Sequence, residues 1–453
     1  MLRTIFFAAT LLVAHPVSAQ SEQEALRSRY DRALAAGYKA LMLCGAIAHA
    51  EANGTTRTAQ SVHDWELAGI QAPLDAPVRD LKYEIVRHAN GTIERVNVAW
   101  ADDMAARSAI HLDEDRGCTL NPIGGPGELY GRPPNRPASR KSAGQTIVDP
   151  PARLQATFDQ AVDGGYGEGA RTTAVLVQRQ QGIIGERYHR GFDPATPQRT
   201  WSVAKSLAAT LIGAAVYRGD VSVTASVGLG YSEGDPRTAI TIDHALRMAT
   251  GRYSDTAGNR TDPVYWGGAG VRERALQWPL IAQPGTVFRY ANNDTLAAVQ
   301  AIMPYLAEHP PHELFDSLGM THTVAEIDWR GQYVMSSQVW STARDLAKFG
   351  QLYLQGGMWD GTRILPENWA HYVAQPSGPQ PGGPFGYGAG FWLLNQSDGV
   401  PPDTFAAFGN RGQYVVIVPS KQIVIVRRGE DPVGVRFDIA AFTRDVLAAL
   451  ADK

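Results

Sequence analysis

The chain carries, at residues 200 to 210, the stretch Thr200-Trp201-Ser202-Val203-Ala204-Lys205-Ser206-Leu207-Ala208-Ala209-Thr210. We predict that it opens a helix running from Ser202 to Arg218. A serine and a lysine three positions apart on a helix lie one above the other on the same face. A serine hydroxyl needs such a neighbouring base to become a nucleophile at neutral pH. The pattern alone is equally compatible with a serine that caps a helix and a solvated lysine.

The composition is typical of a soluble globular enzyme. The 453 residues are 44% hydrophobic and 19% charged, a length that fits two domains or one large domain with an appendage. The 42 basic and 45 acidic residues nearly balance, to a formal net charge of −3. Because no long basic run interrupts this balance, we expect neither a nucleic-acid partner nor attachment to a membrane surface.

The first 19 residues predict a signal peptide. Arg3 precedes the apolar run from Ile5 to Ala14, and a small-residue cleavage site follows at Ala19. The apolar run is too short to span a bilayer. We therefore expect an exported protein, periplasmic or secreted, that starts near Gln20 and has no membrane span.

The sequence has only two cysteines, Cys44 and Cys118. In an oxidising compartment they are expected to form one disulfide, and two free buried thiols are the alternative. No histidine pattern accompanies them, so a zinc site is not expected, and neither is any other metal or cofactor.

Composition divides the remaining chain into three parts. Residues 20–123 predict a small N-terminal α+β domain, with a helix over residues 21–50 and a hairpin around Asn90-Gly91. Residues 124–147 are rich in glycine, proline and arginine and predict a linker. Residues 148–453 form the larger domain.

The larger domain has strands near both of its ends and a helical block between them. Strands are predicted at residues 172–177, 183–188, 413–418 and 422–426, and further helices start at Thr241 and Ser341 and span Val435 to Leu450. One antiparallel sheet assembled from distant segments, in an α+β fold, satisfies this order. The Ser202 helix then lies where the sheet meets the helical block, the expected position of a cleft.

Two later motifs supply what a serine nucleophile still lacks. In Tyr290-Ala291-Asn292, a tyrosinate stabilised by Lys205 would pass the Ser202 proton to the leaving group, and Asn292 would bind the lysine or the substrate. In Gly409-Asn410-Arg411-Gly412-Gln413, a glycine lets substrate lie against the backbone. The N–H groups of Gln413 and Ser202 would then stabilise an oxyanion.

In this order, S-x-x-K, Y-x-N and G-x-x-G resemble the serine β-lactamase and penicillin-binding-protein superfamily. Met248-Ala249-Thr250-Gly251, residues 341–346 and residues 387–392 are similar to its class C branch, which includes family VIII esterases and 6-aminohexanoate-dimer hydrolases. The resemblance covers residues from about 150 onward. It implies a β-lactamase-like antiparallel sheet flanked by helices, a helical subdomain and an acyl-enzyme on Ser202.

The third motif departs from the β-lactamase pattern of Lys-(Thr/Ser)-Gly. Asn410-Arg411-Gly412 stands in its place, and asparagine supplies no charge for a substrate carboxylate. Arg411 is a possible substitute. The segment from Gly412 to Tyr414 is more similar to the 6-aminohexanoate-dimer hydrolases, so an ester or amide substrate is favoured over a lactam.

Three other interpretations stay open. Gly230-Tyr231-Ser232-Glu233-Gly234 has the spacing of an α/β-hydrolase nucleophile elbow, but Asp235-Pro236 follows it and favours a surface turn. Trp201, Tyr265, Trp266 and Trp392 are candidates for a pocket lining, although such residues are more often core. The chain is alternatively a β-lactamase, a D-amino-acid peptidase or carboxypeptidase, or a non-catalytic penicillin- or peptidoglycan-binding module. The sequence does not indicate an oligomeric state.

Overall fold

A computed structural model describes residues 16–125, 146–253 and 261–451, and of residues 16–19 it describes the backbone only. The N-terminal part is a long helix that packs on a four-stranded antiparallel sheet in the order β1-β2-β3-β4. Its elements are α1 (Pro16–Ala52), α2 (Ala59–Asp64), α3 (Asp75–Asp80), β1 (Tyr83–Arg87), β2 (Ile93–Val98), β3 (Arg107–Asp113) and β4 (Gly117–Leu120).

The rest of the chain contributes a second, larger set of elements. Up to residue 274 these are α4 (Ala152–Val162), β5 (Thr172–Arg179), β6 (Gly182–Tyr188), β7 (Gln198–Arg199), α5 (Val203–Arg218), α6 (Ile242–Leu246), α7 (Asp262–Tyr265) and α8 (Val271–Arg274). Beyond it they are α9 (Asn292–Ile302), α10 (Pro311–Ser317), β8 (Val324–Ala325), β9 (Val339–Ser341), α11 (Ala343–Leu354), β10 (Met358–Trp359), β11 (Thr362–Arg363), α12 (Trp369–Ala374), β12 (Gly386–Tyr387), β13 (Trp392–Leu393), β14 (Phe405–Gly409), β15 (Gln413–Val418), β16 (Ile423–Gly429) and α13 (Ile439–Leu450).

The central sheet has seven antiparallel strands in the order β12-β13-β14-β15-β16-β5-β6. Strand β16, which follows the helical block, pairs with β5, which precedes it, so that Arg427 lies opposite Val175. This confirms the prediction of an α+β fold around one antiparallel sheet assembled from distant segments. Helices α5 and α11 cover one face of the sheet, and α4 and α13 cover the other.

Helix α5 lies inside the molecule, because every residue from Val203 to Ala215 is buried. Its sequence is apolar on all sides, which suits a helix enclosed between a sheet and other helices. Ser202 is the residue before its first turn, and the short strand β7 just ahead pairs with β9. The nucleophile candidate therefore starts a rigid, enclosed element.

Two predicted helices are shorter than expected. The Thr241 hydroxyl accepts the His244 amide as predicted, but α6 ends at Leu246 because Met248 takes a left-handed φ of 58°. Helix α13 begins at Ile439 and not at Val435, where Asp438 caps it through the Ala441 amide. In α6 a local backbone conformation ends the helix before its apolar pattern does, and in α13 the cap at Asp438 starts the helix later than its apolar pattern does.

The N-terminal part shares its core with the rest of the molecule. Buried side chains of α1 belong to the same continuous apolar cluster as those of α5 and α11. Within this part, Cys44 and Cys118 form a disulfide between α1 and β4. The predicted linker lies mostly outside the described residues, so the domain boundaries stay a prediction.

One stretch of the described chain, Gln20–Ala52, is long and apolar enough to cross a membrane by length and composition. Its most apolar window is wholly buried within the protein, which is the environment of a core helix. The predicted signal peptide, residues 1–19, lies almost entirely outside the described residues. Helix α1 is already formed at Pro16, ahead of the predicted cleavage position.

Candidate active site

The Ser202 hydroxyl and the Lys205 amine are hydrogen-bonded at 2.8 Å. Ser202 is partly exposed, whereas Lys205 is only 1% exposed. The serine side chain accepts no capping hydrogen bond from the helix backbone. A cap interpretation of Ser202 therefore fails, and its hydroxyl is available to a substrate.

The Lys205 amine has two further acceptors, both uncharged. It donates to Asn292 Oδ1 at 2.7 Å and to the backbone oxygen of Ser336 at 2.8 Å. Burial holds the pKa of Lys205 well below its ordinary value. A neutral amine has two N–H groups and one lone pair. If the two carbonyl-type acceptors take the N–H groups, the lone pair faces the Ser202 hydroxyl.

Tyr290 borders Ser202 from the other side. Ser202 and Trp392 lie beside its hydroxyl and lower its pKa, but burial has the larger effect and raises that pKa to about 12. The Lys205 amine lies 5.1 Å from the centre of its ring. These pKa directions favour a neutral Lys205 and a protonated Tyr290 in the free protein, and the predicted roles of the two as a base system stay a prediction.

Asn292 is the first residue of α9 and is 7% exposed. Its amide oxygen accepts from Lys205, and its amide nitrogen donates to the Thr261 hydroxyl at 3.4 Å. Of the two predicted roles, the structure places Asn292 on the lysine. It fixes the direction of one Lys205 N–H.

The third motif forms a turn between β14 and β15, which we call the Gly409–Gly412 turn. A methyl group added at Gly409 would lie 2.3 Å from the backbone oxygen of Thr200 and 3.2 Å from the amide nitrogen of Ser202. Only glycine permits this approach. The glycine that meets the nucleophile is therefore Gly409.

Arg411 does not face the site, which corrects its predicted role as a carboxylate-binding residue. Its side chain is 5% exposed, pairs with Glu430 at 2.8 Å, and donates to backbone oxygens of residues 65, 66 and 68. Its guanidinium is therefore bound by other groups of the protein and is directed away from the substrate side of the turn. The turn consequently offers a substrate no cationic side chain, since Asn410 is its exposed residue.

Gly412 and the Gln413 side chain are likewise turned inward. A methyl group at Gly412 would lie 1.7 Å from the Arg427 guanidinium, which pairs with Asp431. The Gln413 amide accepts from Arg428 and donates to the backbone of Gly429. The Gln413 side chain is therefore bonded within the protein. The Gln413 backbone N–H as an oxyanion donor stays a prediction.

The segment ahead of β9 also contributes to the site and was not predicted from the sequence. Besides supplying the Lys205 acceptor, Ser336 contacts the Tyr265 hydroxyl through its own hydroxyl, at 2.6 Å. The buried Arg199 donates to the next residue, Ser337, at 2.8 Å. A backbone carbonyl leaves no mark in a sequence, and no motif pointed to this segment.

The aromatic candidates separate into two groups. Trp201, Tyr265 and Trp266 are buried around the Arg199 guanidinium, within 5.7 Å of it, and form the support beneath the nucleophile. Trp392 is partly exposed and lies 5.3 Å from the Tyr290 ring, so it borders the site. The Gly230–Gly234 segment is an exposed turn, as predicted, and not the strand-to-helix junction of a nucleophile elbow.

A serine at the start of an enclosed helix, with a buried lysine amine at hydrogen-bonding distance and a tyrosine beside it, is typical of a serine hydrolase. The chain belongs to the Beta-lactamase family, whose model matches residues 154–449. The N-terminal part lies outside that match.

The chain is 27% identical over 289 residues to the 6-aminohexanoate-dimer hydrolase of Paenarthrobacter ureafaciens, covering 54% of this chain and 67% of that one. A solved Bacillus anthracis structure, provisionally assigned as a 6-aminohexanoate-dimer hydrolase, superposes with a TM-score of 0.54 at 21% identity. It covers 64% of this chain and 81% of its own. The hydrolase EstCE1, described as having promiscuous acyltransferase activity, superposes with a TM-score of 0.51 at 17% identity, covering 66% and 97%. At these identities, the two structures support the fold.

Proposed function

We propose that the protein cleaves an ester or amide bond through an acyl-enzyme on Ser202. The observation that carries the proposal is the 2.8 Å contact between Ser202 and a buried lysine whose other two acceptors are uncharged. With its two N–H groups bound by those acceptors, the lysine directs its lone pair toward the serine proton. A base in that position turns a weak nucleophile into an effective one.

In acylation, Lys205 takes the Ser202 proton while Oγ bonds to the substrate carbonyl carbon. The carbonyl oxygen becomes an oxyanion beside the Ser202 N–H. Tyr290 then donates its proton to the leaving oxygen or nitrogen, recovers one from the Lys205 ammonium, and the scissile bond breaks. In deacylation, the same groups take a proton from water as its oxygen bonds to the acyl carbon. They return that proton to Ser202 Oγ as the bond between the acyl carbon and Oγ breaks, and the acid product leaves.

Two observations favour an ester or open amide over a β-lactam. The one arginine of the third motif is tied to the protein interior, so the turn presents no charge to a substrate carboxylate. In addition, the curated relative is named for an amide substrate, the 6-aminohexanoate dimer. A linear amide or a simple ester is accordingly the first substrate class to test.

A fluorophosphonate probe tests the nucleophile. We expect the wild type to be labelled and Ser202→Ala to be inert, with Ser232→Ala as the matched control because Ser232 lies in the exposed turn. Equal labelling of wild type and Ser202→Ala would refute the mechanism. Absence of labelling in the wild type would favour the non-catalytic binding module.

A substrate panel tests the class. The wild type is assayed on p-nitrophenyl acetate, linear aminohexanoate oligomers, D-aminoacyl amides and a chromogenic cephalosporin. We expect turnover of the ester or an open amide to exceed that of the cephalosporin. Fast cephalosporin turnover without ester or amide cleavage would identify a β-lactamase instead.

We further propose that the protein is exported. The charged start and apolar run before Ala19, together with the Cys44–Cys118 disulfide, support this. N-terminal sequencing of the protein from a bacterial periplasmic fraction is expected to begin at Gln20. Export would be refuted if the protein were found only in the cytosolic fraction and still began at Met1.

A further inference from the structure

The N-terminal part contacts the larger domain at the turn that meets the nucleophile. Residues 65–68 contact the Gly409–Gly412 turn through Arg411, and Gly69 contacts the segment after β16, where Val433 donates to the Gly69 backbone at 2.9 Å. A methyl group at Gly69 would lie 2.9 Å from Pro432. This segment lies outside the family match, yet it packs directly behind the site.

Arg411 is the main link between this N-terminal segment and the Gly409–Gly412 turn. It donates to the backbone oxygens of Trp65 at 2.9 Å, Glu66 at 3.0 Å and Ala68 at 2.7 Å. It also donates to the Glu430 backbone at 3.2 Å and pairs with the Glu430 carboxylate at 2.8 Å. A planar guanidinium suits such a set of acceptors, whereas a lysine ammonium cannot reach all of them at once.

The backbone of Arg411 is held in an unusual conformation. Its φ is 58°, in the left-handed region that residues other than glycine rarely adopt. Such a conformation persists only where surrounding contacts fix it. Of its side-chain contacts, three are to backbone oxygens of the N-terminal part and two are to Glu430, and its own backbone oxygen accepts from the Asp431 amide at 3.2 Å. The turn that brings Gly409 against Ser202 contains this residue.

We propose that Arg411 is a positioning residue through which residues 65–68 of the N-terminal part hold the Gly409–Gly412 turn against Ser202. It touches no substrate. It acts on the reaction by fixing the backbone that borders the nucleophile, where displacement by about 1 Å can cost a hundredfold in rate. This inference rests on the proposed function, because it assigns a part in that reaction.

The test compares Arg411→Gln with Arg171→Gln by steady-state kinetics on the ester substrate. Arg171 is a matched control, because it binds the same segment through the Asp64 backbone at 2.7 Å and stacks on Trp65, but is not in the turn. We expect Arg411→Gln to lose about a hundredfold in kcat while KM changes by less than about threefold. Arg171→Gln should keep kcat within about threefold.

Arg411→Lys covers the case in which Arg411→Gln does not fold. It keeps the charge and part of the bonding, so we expect a folded protein with an intermediate loss in kcat. A folded Arg411→Gln or Arg411→Lys with wild-type kcat would overturn the positioning role. That result would leave the proposed function standing, since labelling and turnover of the wild type and Ser202→Ala test that function separately.

Hydrogen exchange on the wild type provides a measurement that needs no variant. If Arg411 fixes the turn, amides of residues 409–412 exchange as slowly as those of β15 and β16. Exchange as fast as in the exposed Gly230–Gly234 turn would contradict the proposal, whatever the variants do.

Discussion

Lys205 shows how burial determines a residue's chemistry. In water a lysine is a cation, but here desolvation lowers its pKa and no carboxylate among its described partners restores the charge. Burial shifts the pKa of Tyr290 in the opposite direction, upward, because it favours the neutral form of a phenol as well. One environment therefore produces a neutral base and a neutral acid on either side of Ser202.

These opposite shifts predict the pH profile of acylation. Activity requires neutral Lys205, so the rate should rise with pH through the lowered lysine pKa and reach its plateau below the ordinary lysine range. Tyr290 keeps its proton until about pH 12, so it should cause no alkaline decline below that. The measurement is kcat/KM for the ester against pH, with the melting temperature recorded at each pH.

A contrary profile would be informative. If the rate fell between about pH 7 and about pH 9, the active form would need a charged lysine or another group that must keep its proton. The assignment of Lys205 as the neutral base would then be wrong.

Gly409 predicts a sharp effect of a single methyl group. In Gly409→Ala the new carbon meets the Thr200 backbone oxygen, which is not free to rotate away, so the turn or the start of α5 must move. We expect a loss of about a hundredfold or more in kcat. Gly234→Ala is the control, because no atom lies within 4 Å of its added carbon. Equal activity of the two variants would contradict the geometry described for the site.

Residue-level prediction from the sequence succeeded where partners are close along the chain. The Ser202–Lys205 contact follows from helical spacing alone. The role of Arg411 did not follow, because it depends on partners far away in the sequence. Arg411 meets Glu66 across a separation of 345 residues, and Lys205 meets Ser336 across 131.

At the scale of elements, hydrophobic patterning predicted the strands well and the helix ends less well. The pairs β5–β6 and β15–β16 have clear turn residues between alternating or apolar runs. The ends of α6 and α13 depend on single backbone conformations that an apolar pattern does not encode. The end of α6 matters for the site. Beyond it, the Met248 backbone oxygen accepts from the Arg289 amide, just before Tyr290.

The disulfide predicts a stability effect at this scale. It joins α1 to β4 across a separation of 74 residues, and a loop of that length contributes about 4 kcal/mol in the chain-entropy model. The double variant Cys44→Ala/Cys118→Ala should lose about 2 to 4 kcal/mol in the free energy of unfolding, measured in urea. Reductant should lower the wild type similarly and leave the variant unchanged. Insensitivity of the wild type to reductant would show that the bond does not form.

At the scale of the whole molecule, the sequence predicted the family-like domain but not its relation to the N-terminal part. Composition favoured two domains with a linker, whereas the structure has one apolar cluster running through α1, α5 and α11. Arg107 also donates to the Trp266 backbone at 3.1 Å, and the Tyr38 ring packs on Trp266 at 4.6 Å. Such contacts between distant segments are not visible in composition.

This shared core predicts the outcome of truncation. A chain beginning at residue 148 would expose the surface that α1 covers, including Trp266 and Trp340. We expect it to be insoluble or unfolded by circular dichroism, in contrast to the chain beginning at residue 20. A soluble, active truncated chain would show that the larger domain folds alone and would weaken the positioning role of residues 65–68.

The acyl-enzyme on Ser202 is the central claim, and mass spectrometry of the acid-quenched enzyme tests it most directly. After brief reaction with p-nitrophenyl acetate, we predict one added acetyl group on the peptide that contains Ser202, and none in Ser202→Ala. An acetyl group on another residue, or turnover by the wild type that Ser202→Ala retains, would contradict the mechanism.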